Sequence, residues 1–170
     1  MFFLLTHHLH TENDHLLKLL DQRVLGASQK DLDDHESLER AQHELEVTLA
    51  EFDGNQDEEV GHSFYLAFTR FHGRYLEHIF HEELVTEALL LGHFSAEELQ
   101  ENSMRIMQTV EFHVLLLSLK YIVPAQSENE NLRILRAFKT NAPKEALDAV
   151  LAIVAPEMSE LDFLSLNRKL

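Results

Sequence analysis

Phe64–Leu91, FYLAFTRFHGRYLEHIFHEELVTEALLL, decides the fold. Together with Val60 just before it, its apolar residues Phe64, Ala67, Phe68, Phe71, Tyr75, Ile79, Val85 and Leu89 recur at three- and four-residue steps. That spacing predicts one stripe along a long amphipathic helix. Gly73 is the one helix-weakening residue inside it, a cost of about 1 kcal/mol that such a helix tolerates. At ~100° per residue, His78 and Glu82 fall in the middle of the stripe, one above the other. A carboxylate placed among apolar side chains costs several kcal/mol unless it is paired or holds a cation.

Working outward, the same pattern recurs in the two preceding segments. Phe3 to Leu25 reads as a helix with Leu5, Leu9, Leu16, Leu19 and Leu20 on its inner face. Glu12 sits at the centre of that face and His8 near its edge, while His7, His10 and Asp14 fall outside it. Gly26-Ala27-Ser28 closes this helix. Asp31 to Phe52 reads as a second helix, with Leu32, Leu38, Leu45 and Leu49 inward, His35 on the same face and Glu39 at its edge. Asp53–Asp57 is a polar loop. Three helices thus carry three His-x-x-x-Glu pairs: His8/Glu12, His35/Glu39 and His78/Glu82.

The downstream half has a different character. Ser95 and Glu98 form a capping box, and shorter helices follow over Ser95–Val110, Glu111–Val123, Glu128–Thr140, Pro143–Val154 and Ser159–Lys169. Its one histidine after Phe94, His113, has no carboxylate four residues on, and the segment reads as packing. The division is therefore 1–94, carrying the site, and 95–170, a helical C-terminal extension.

Composition narrows the function. The 170 residues are 45% hydrophobic with five Gly and three Pro, which suits an all-α chain with a sizeable core. No Cys is present, which excludes disulfides, thiolate sites and cysteine nucleophiles. A formal charge of −16 argues against nucleic acid and anionic lipid as partners. Met1–Leu5 is too short for a signal peptide, and no apolar run approaches a membrane span. A cytoplasmic location is the expectation.

Several unrelated His–Glu pairs in one core would each need separate compensation. A pair of divalent ions supplies it at once, with carboxylates bridging and imidazoles completing the shells. Oxygen ligands mixed with imidazole and no thiolate favour iron or manganese over structural zinc.

The segments HHLHTENDHLLKLL, LDDHESLE and YLEHIFHEELVTEALLLGHFSAEEL also resemble, in that order, the ligand segments of hemerythrin-like (HHE cation-binding) proteins. The resemblance implies an up-and-down helical bundle with a non-haem di-iron site, manganese or zinc being alternatives. It implies ligation by His8, Glu12, His35, His78 and Glu82, with Glu39 a further candidate. It also implies a role in O2 or NO handling, iron sensing or storage. The chain departs from the family pattern in three ways. The family's earlier histidine-bearing helix is missing, Lys18 and Ala88 replace prolines, and Asn13 stands where the family often has Asp.

Two rival readings remain at this stage: a metal-free interaction scaffold, and an enzyme that activates O2 or peroxide at the same site. Three helices leave one side of the cluster uncovered, so either the C-terminal helices cover it or a homodimer does. The dimer is the expectation, with Phe2, Phe3 and Leu4 at its interface.

Overall fold

The computed structural model describes residues 2–50, 52 and 58–170, and among these residues every regular element is helical. The loop expected at Asp53–Asp57 lies outside the described residues. The chain forms two compact units, Met1–Met107 and Gln108–Leu170.

Three rods build the first unit. The first joins α1 (Phe2–Thr11), a π-helical turn (Glu12–Leu17) and α2 (Lys18–Arg23). The second is α3 (Gln29–Ala50), uninterrupted over its length. The third joins α4 (Glu58–His81), a second π turn (Glu82–Thr86) and α5 (Glu87–His93). Gly26, with φ of +80°, turns the chain between the first two rods, where a residue with a Cβ would be strained. Its N–H donates to Asp21 Oδ1 at 2.7 Å. The expected helices are all present, with ends within a few residues of their predicted positions.

The two π turns change which residues face inward. A π turn closes i→i+5 and carries one residue more than an α turn. Downstream of each, the buried face slips by one position from a uniform 100° reading. Beyond Glu12, Leu17 is fully buried and Leu16 only partly so. Beyond Glu82, Thr86 is 3% exposed where Val85, the expected stripe residue, is 38% exposed, and Leu90 rather than Leu89 reaches the core. The α3 stripe needs a different correction. Leu38 and Leu45 are buried as expected, but Leu32 and Leu49 are exposed and Asp31, Gln42 and His35 take buried positions. Val60 and Phe68 also lie on the exposed side of α4.

Two apolar clusters fill the unit. One contains Leu9, Leu38, Leu45 and Phe71, with Phe2, Leu5, Phe64 and Tyr75 packed against it. Phe2 meets Phe71 edge-on at 6.0 Å and is partly buried against this core, whereas Phe3 stays exposed. The other contains Leu20, Leu90 and Phe94, with Leu16, Leu19 and Leu99 around it. Leu99 comes from α6 (Ala96–Thr109), whose Ser95–Glu98 capping box forms as predicted. Arg23 fastens this end of the unit. It donates to Glu98 Oε1 at 2.9 Å and to the His93 carbonyl at 2.6 Å, and lies 4.1 Å over the Phe94 ring. These contacts set most of α6 in the first unit, whereas the division after Phe94 places it with the extension.

The second unit holds α7 (Phe112–Ala125), α8 (Glu128–Asn141), α9 (Lys144–Val154) and α10 (Glu160–Lys169) around Leu119, Val123, Leu135, Val150, Val154 and Leu166. Ser127 and Glu130 cap α8 reciprocally, and the buried Asn131 donates to the Val123 carbonyl at the end of α7. His113 pairs with Glu111 on the surface at 3.2 Å.

Candidate metal centre

Along the first and third rods, and along the chain from the Gly26 turn into α3, the sequence passes from one apolar cluster to the other through a short polar interval. Those intervals hold Glu12 between Leu9 and Leu16, His35 between Ala27 and Leu38, and His78 and Glu82 between Tyr75 and Leu89. The three rods bring the intervals together. Glu12, His35, His78 and Glu82 each offer one ligand atom, and these atoms all lie within 4.8 Å of one another. The group can hold a metal ion. An ion with bonds of about 2.0–2.2 Å to N and O spans such a set.

The histidines come from straight α-helix and the carboxylates from the two π turns. His35 and His78 are 1% and 2% exposed, and their rings meet edge-on with centroids 4.6 Å apart. Their Nε2 atoms are 2.9 Å apart. Glu82 Oε1 lies 3.3 Å from His78 Nε2 and 3.7 Å from His35 Nε2, and Glu12 Oε2 lies 3.7 Å from His35 Nε2. Both glutamates begin a π turn, a feature that recurs at functional sites.

The outer contacts fix how the imidazoles present themselves. Asn13 Oδ1 is 2.7 Å from His35 Nδ1, which assigns the His35 proton to Nδ1 and leaves Nε2 as a lone pair. Asp34 Oδ2 faces His78 Nδ1 at 3.7 Å, too long for a hydrogen bond but of the sign that favours Nδ1–H there. With both Nδ1 protons outward, two Nε2 lone pairs would confront each other at 2.9 Å; a further proton on one Nε2, which also faces Glu82, or a cation between them removes the repulsion. Glu12 Oε2 and His78 Nδ1 are moreover buried without a hydrogen-bond partner. A cation at the centre resolves the Nε2 confrontation and compensates Glu12 Oε2. The outer partners then do what second contacts of metal-bound histidines do: fix the tautomer and the ring plane.

Electrostatics divides the two carboxylates. Burial first, and then the charge of the neighbouring Glu82, raise the Glu12 pKa to about 8. For Glu82 burial also pushes upward, but hydrogen bonds and charge from His35 and His78 outweigh it and the net shift is downward. Burial pushes the His8 imidazole below its ordinary range. Tyr75, against His78, is raised to about 12 by burial and by the charges of Glu12 and Glu82.

His8 and Glu39 stand differently. His8 Nε2 lies 3.5 Å from Glu12 Oε1, the oxygen opposite the one facing His35, and its side chain is 45% exposed. Glu39 turns away from the four-residue group and meets His10 Nε2 at 2.6 Å. His10 falls outside the inner face of its own helix, and its partner lies on α3, where the helix-by-helix stripe gave no sign of it.

Two further polar residues escaped the sequence reading. Asp31 is fully buried, accepts from the Thr86 hydroxyl at 2.6 Å and faces His81 Nε2 at 3.5 Å. Gln42 donates to Thr6 Oγ1 at 2.7 Å. The placing of Asp31 one turn before His35 was the available signal. Comparison with known proteins found no matching family model, no matching curated protein and no matching solved structure.

Proposed function

We propose that this protein is a hemerythrin-like binder of divalent transition metal, with iron as the resident ion and manganese or zinc as competitors. The observation that carries the reading is the convergence of four donor atoms, two imidazole and two carboxylate, within 4.8 Å in a site closed on both sides by apolar clusters. The donor set contains no thiolate and suits iron or manganese by its oxygen content. The chain's own part is to hold and orient. His35 and His78 supply Nε2, Asn13 orients the His35 ring through Nδ1, Asp34 lies 3.7 Å from His78 Nδ1, and the flanking apolar side chains restrict water.

A two-ion centre is supported by the way Glu12 spans the site. One of its oxygens faces His35 and the other faces His8, as a bridging carboxylate would. Iron bound there would supply reversible O2 or NO binding or redox sensing, and storage is the simpler use of the same site. Elemental analysis of tag-free protein with its near-UV and visible spectrum tests the reading. About two irons per chain supports the bridged centre, and one supports the four-residue site alone.

A metal-free scaffold is the competing reading, favoured by the closeness of Glu12 to Glu82, where a proton held on Glu12 reduces the charge of the pair. It requires that no ion binds at any concentration, and that Glu82→Leu stabilises the fold by replacing a buried acid with packing.

A further inference from the structure

We propose that Asp31 is a positioning residue of this metal centre: it holds the π turn Glu82–Thr86 and thereby fixes the direction in which Glu82 points. The inference rests on the metal-binding reading above. It starts from an ambiguity in the sequence. Downstream of Glu82, Val85 and Leu89 would continue the apolar stripe in an unbroken α-helix, whereas Thr86 and Leu90 occupy the core in the π register. Apolar content favours the α register, since it would bury Val85 in place of a threonine. Something other than hydrophobic burial selects the π turn.

Asp31 is placed to do so. It is 0% exposed, and its two carboxylate oxygens face the two ends of the turn. Oδ2 accepts from the hydroxyl of Thr86, the last residue of the turn, at 2.6 Å. Oδ1 faces Nε2 of His81, the residue immediately before Glu82, at 3.5 Å and has no hydrogen-bond partner. A return to the α register would carry Thr86 off the buried face and leave a buried carboxylate without its donor, which is the costlier state. The first π turn is pinned from the same helix: Asn13, within Glu12–Leu17, meets His35 Nδ1 at 2.7 Å. Asp31 and His35 are one turn apart on α3. The straight rod therefore fastens both wide turns, one through each residue.

The test uses Thr86→Val, which keeps the shape and removes the hydroxyl, with Thr86→Ser as the conservative rescue. Thr86→Ala serves if the valine variant does not fold. Two readouts are taken on the full chain. Hydrogen exchange without metal reports the turn itself: Thr86→Val should speed amide exchange across 82–93 roughly tenfold, leaving 112–169 unchanged. Cobalt(II) titration reports the site: affinity should fall about ten- to a hundredfold with a changed visible d–d band. Thr86→Ser should restore both. Wild-type exchange together with wild-type cobalt binding in Thr86→Val would overturn the inference. If the wild-type chain binds no cobalt while Thr86→Val still loosens 82–93, the metal reading fails. Asp31 is then a clamp of the fold with no metal centre to position, and the proposal is overturned in that form.

Discussion

Glu12 keeps its proton well above the ordinary carboxylate range because it is buried and faces Glu82. The consequence for stability has a definite sign. In the unfolded chain Glu12 loses its proton near the ordinary value of about 4.5, whereas in the folded metal-free chain it holds it to about 8. Between those values the folded state binds more protons, so this residue's contribution is complete below about 4.5 and declines as pH rises towards 8. Glu12→Gln removes the decline. In thermal melts with chelator, the stability of Glu12→Gln relative to wild type should grow from pH 5 to pH 8, by roughly 2 kcal/mol after allowing for partial exposure and coupling. A constant difference would mean that Glu12 is not buried against Glu82. With excess divalent metal the order should reverse, because the ion replaces the proton. The inward placement of His78, Glu82 and Glu12 was legible from spacing alone, since each falls on a stripe that must be buried. Asp31 and the His10–Glu39 pair were not, because each depends on a partner in another helix.

At the scale of elements, the chain announces its helices clearly, and their observed ends follow from capping residues and from Gly26. What the periodicity does not announce is a change of period. The two π turns begin at Glu12 and Glu82, and beyond them Leu20 is buried as expected while other inward residues are displaced by one: Leu16 by Leu17, Val85 by Thr86, Leu89 by Leu90. Each misplacement has the same cause, a single extra residue in the turn. In α3, which has no π turn, Leu32 is exposed because the adjacent buried position serves Asp31 and its contacts with Thr86 and His81. Elsewhere in these rods ordinary helix energetics should apply. Gly73 lies mid-helix in α4 with no atom within 4 Å of where a Cβ would sit. Gly73→Ala should therefore stabilise the protein by about 0.5–1 kcal/mol, read as a shift in the chemical denaturation midpoint at unchanged slope. Destabilisation would show that this face of α4 is covered.

Across the whole molecule, none of the described helices is long and apolar enough to cross a membrane, although α6 and α7 together pass that test as a bent pair. Tyr65, Leu76, Phe80, Leu84 and Leu91 are nonetheless exposed along α4, the second π turn and α5. A homodimer is the proposed cover for such surface, since large exposed apolar patches mark interaction sites. Light scattering at micromolar concentration should give twice the chain mass and Phe80→Glu about half that value; a wild-type monomer would contradict it. The claim on which everything else depends is that Glu12, His35, His78 and Glu82 hold a metal. It is tested most directly by metal analysis of tag-free wild-type protein and Glu82→Ala, each dialysed after loading with iron(II) under anaerobic conditions, with the exposed His43→Ala as control. Wild type and His43→Ala should each retain at least one iron per chain and Glu82→Ala less than a tenth of that; equal retention in all three, or none in any, would contradict the account.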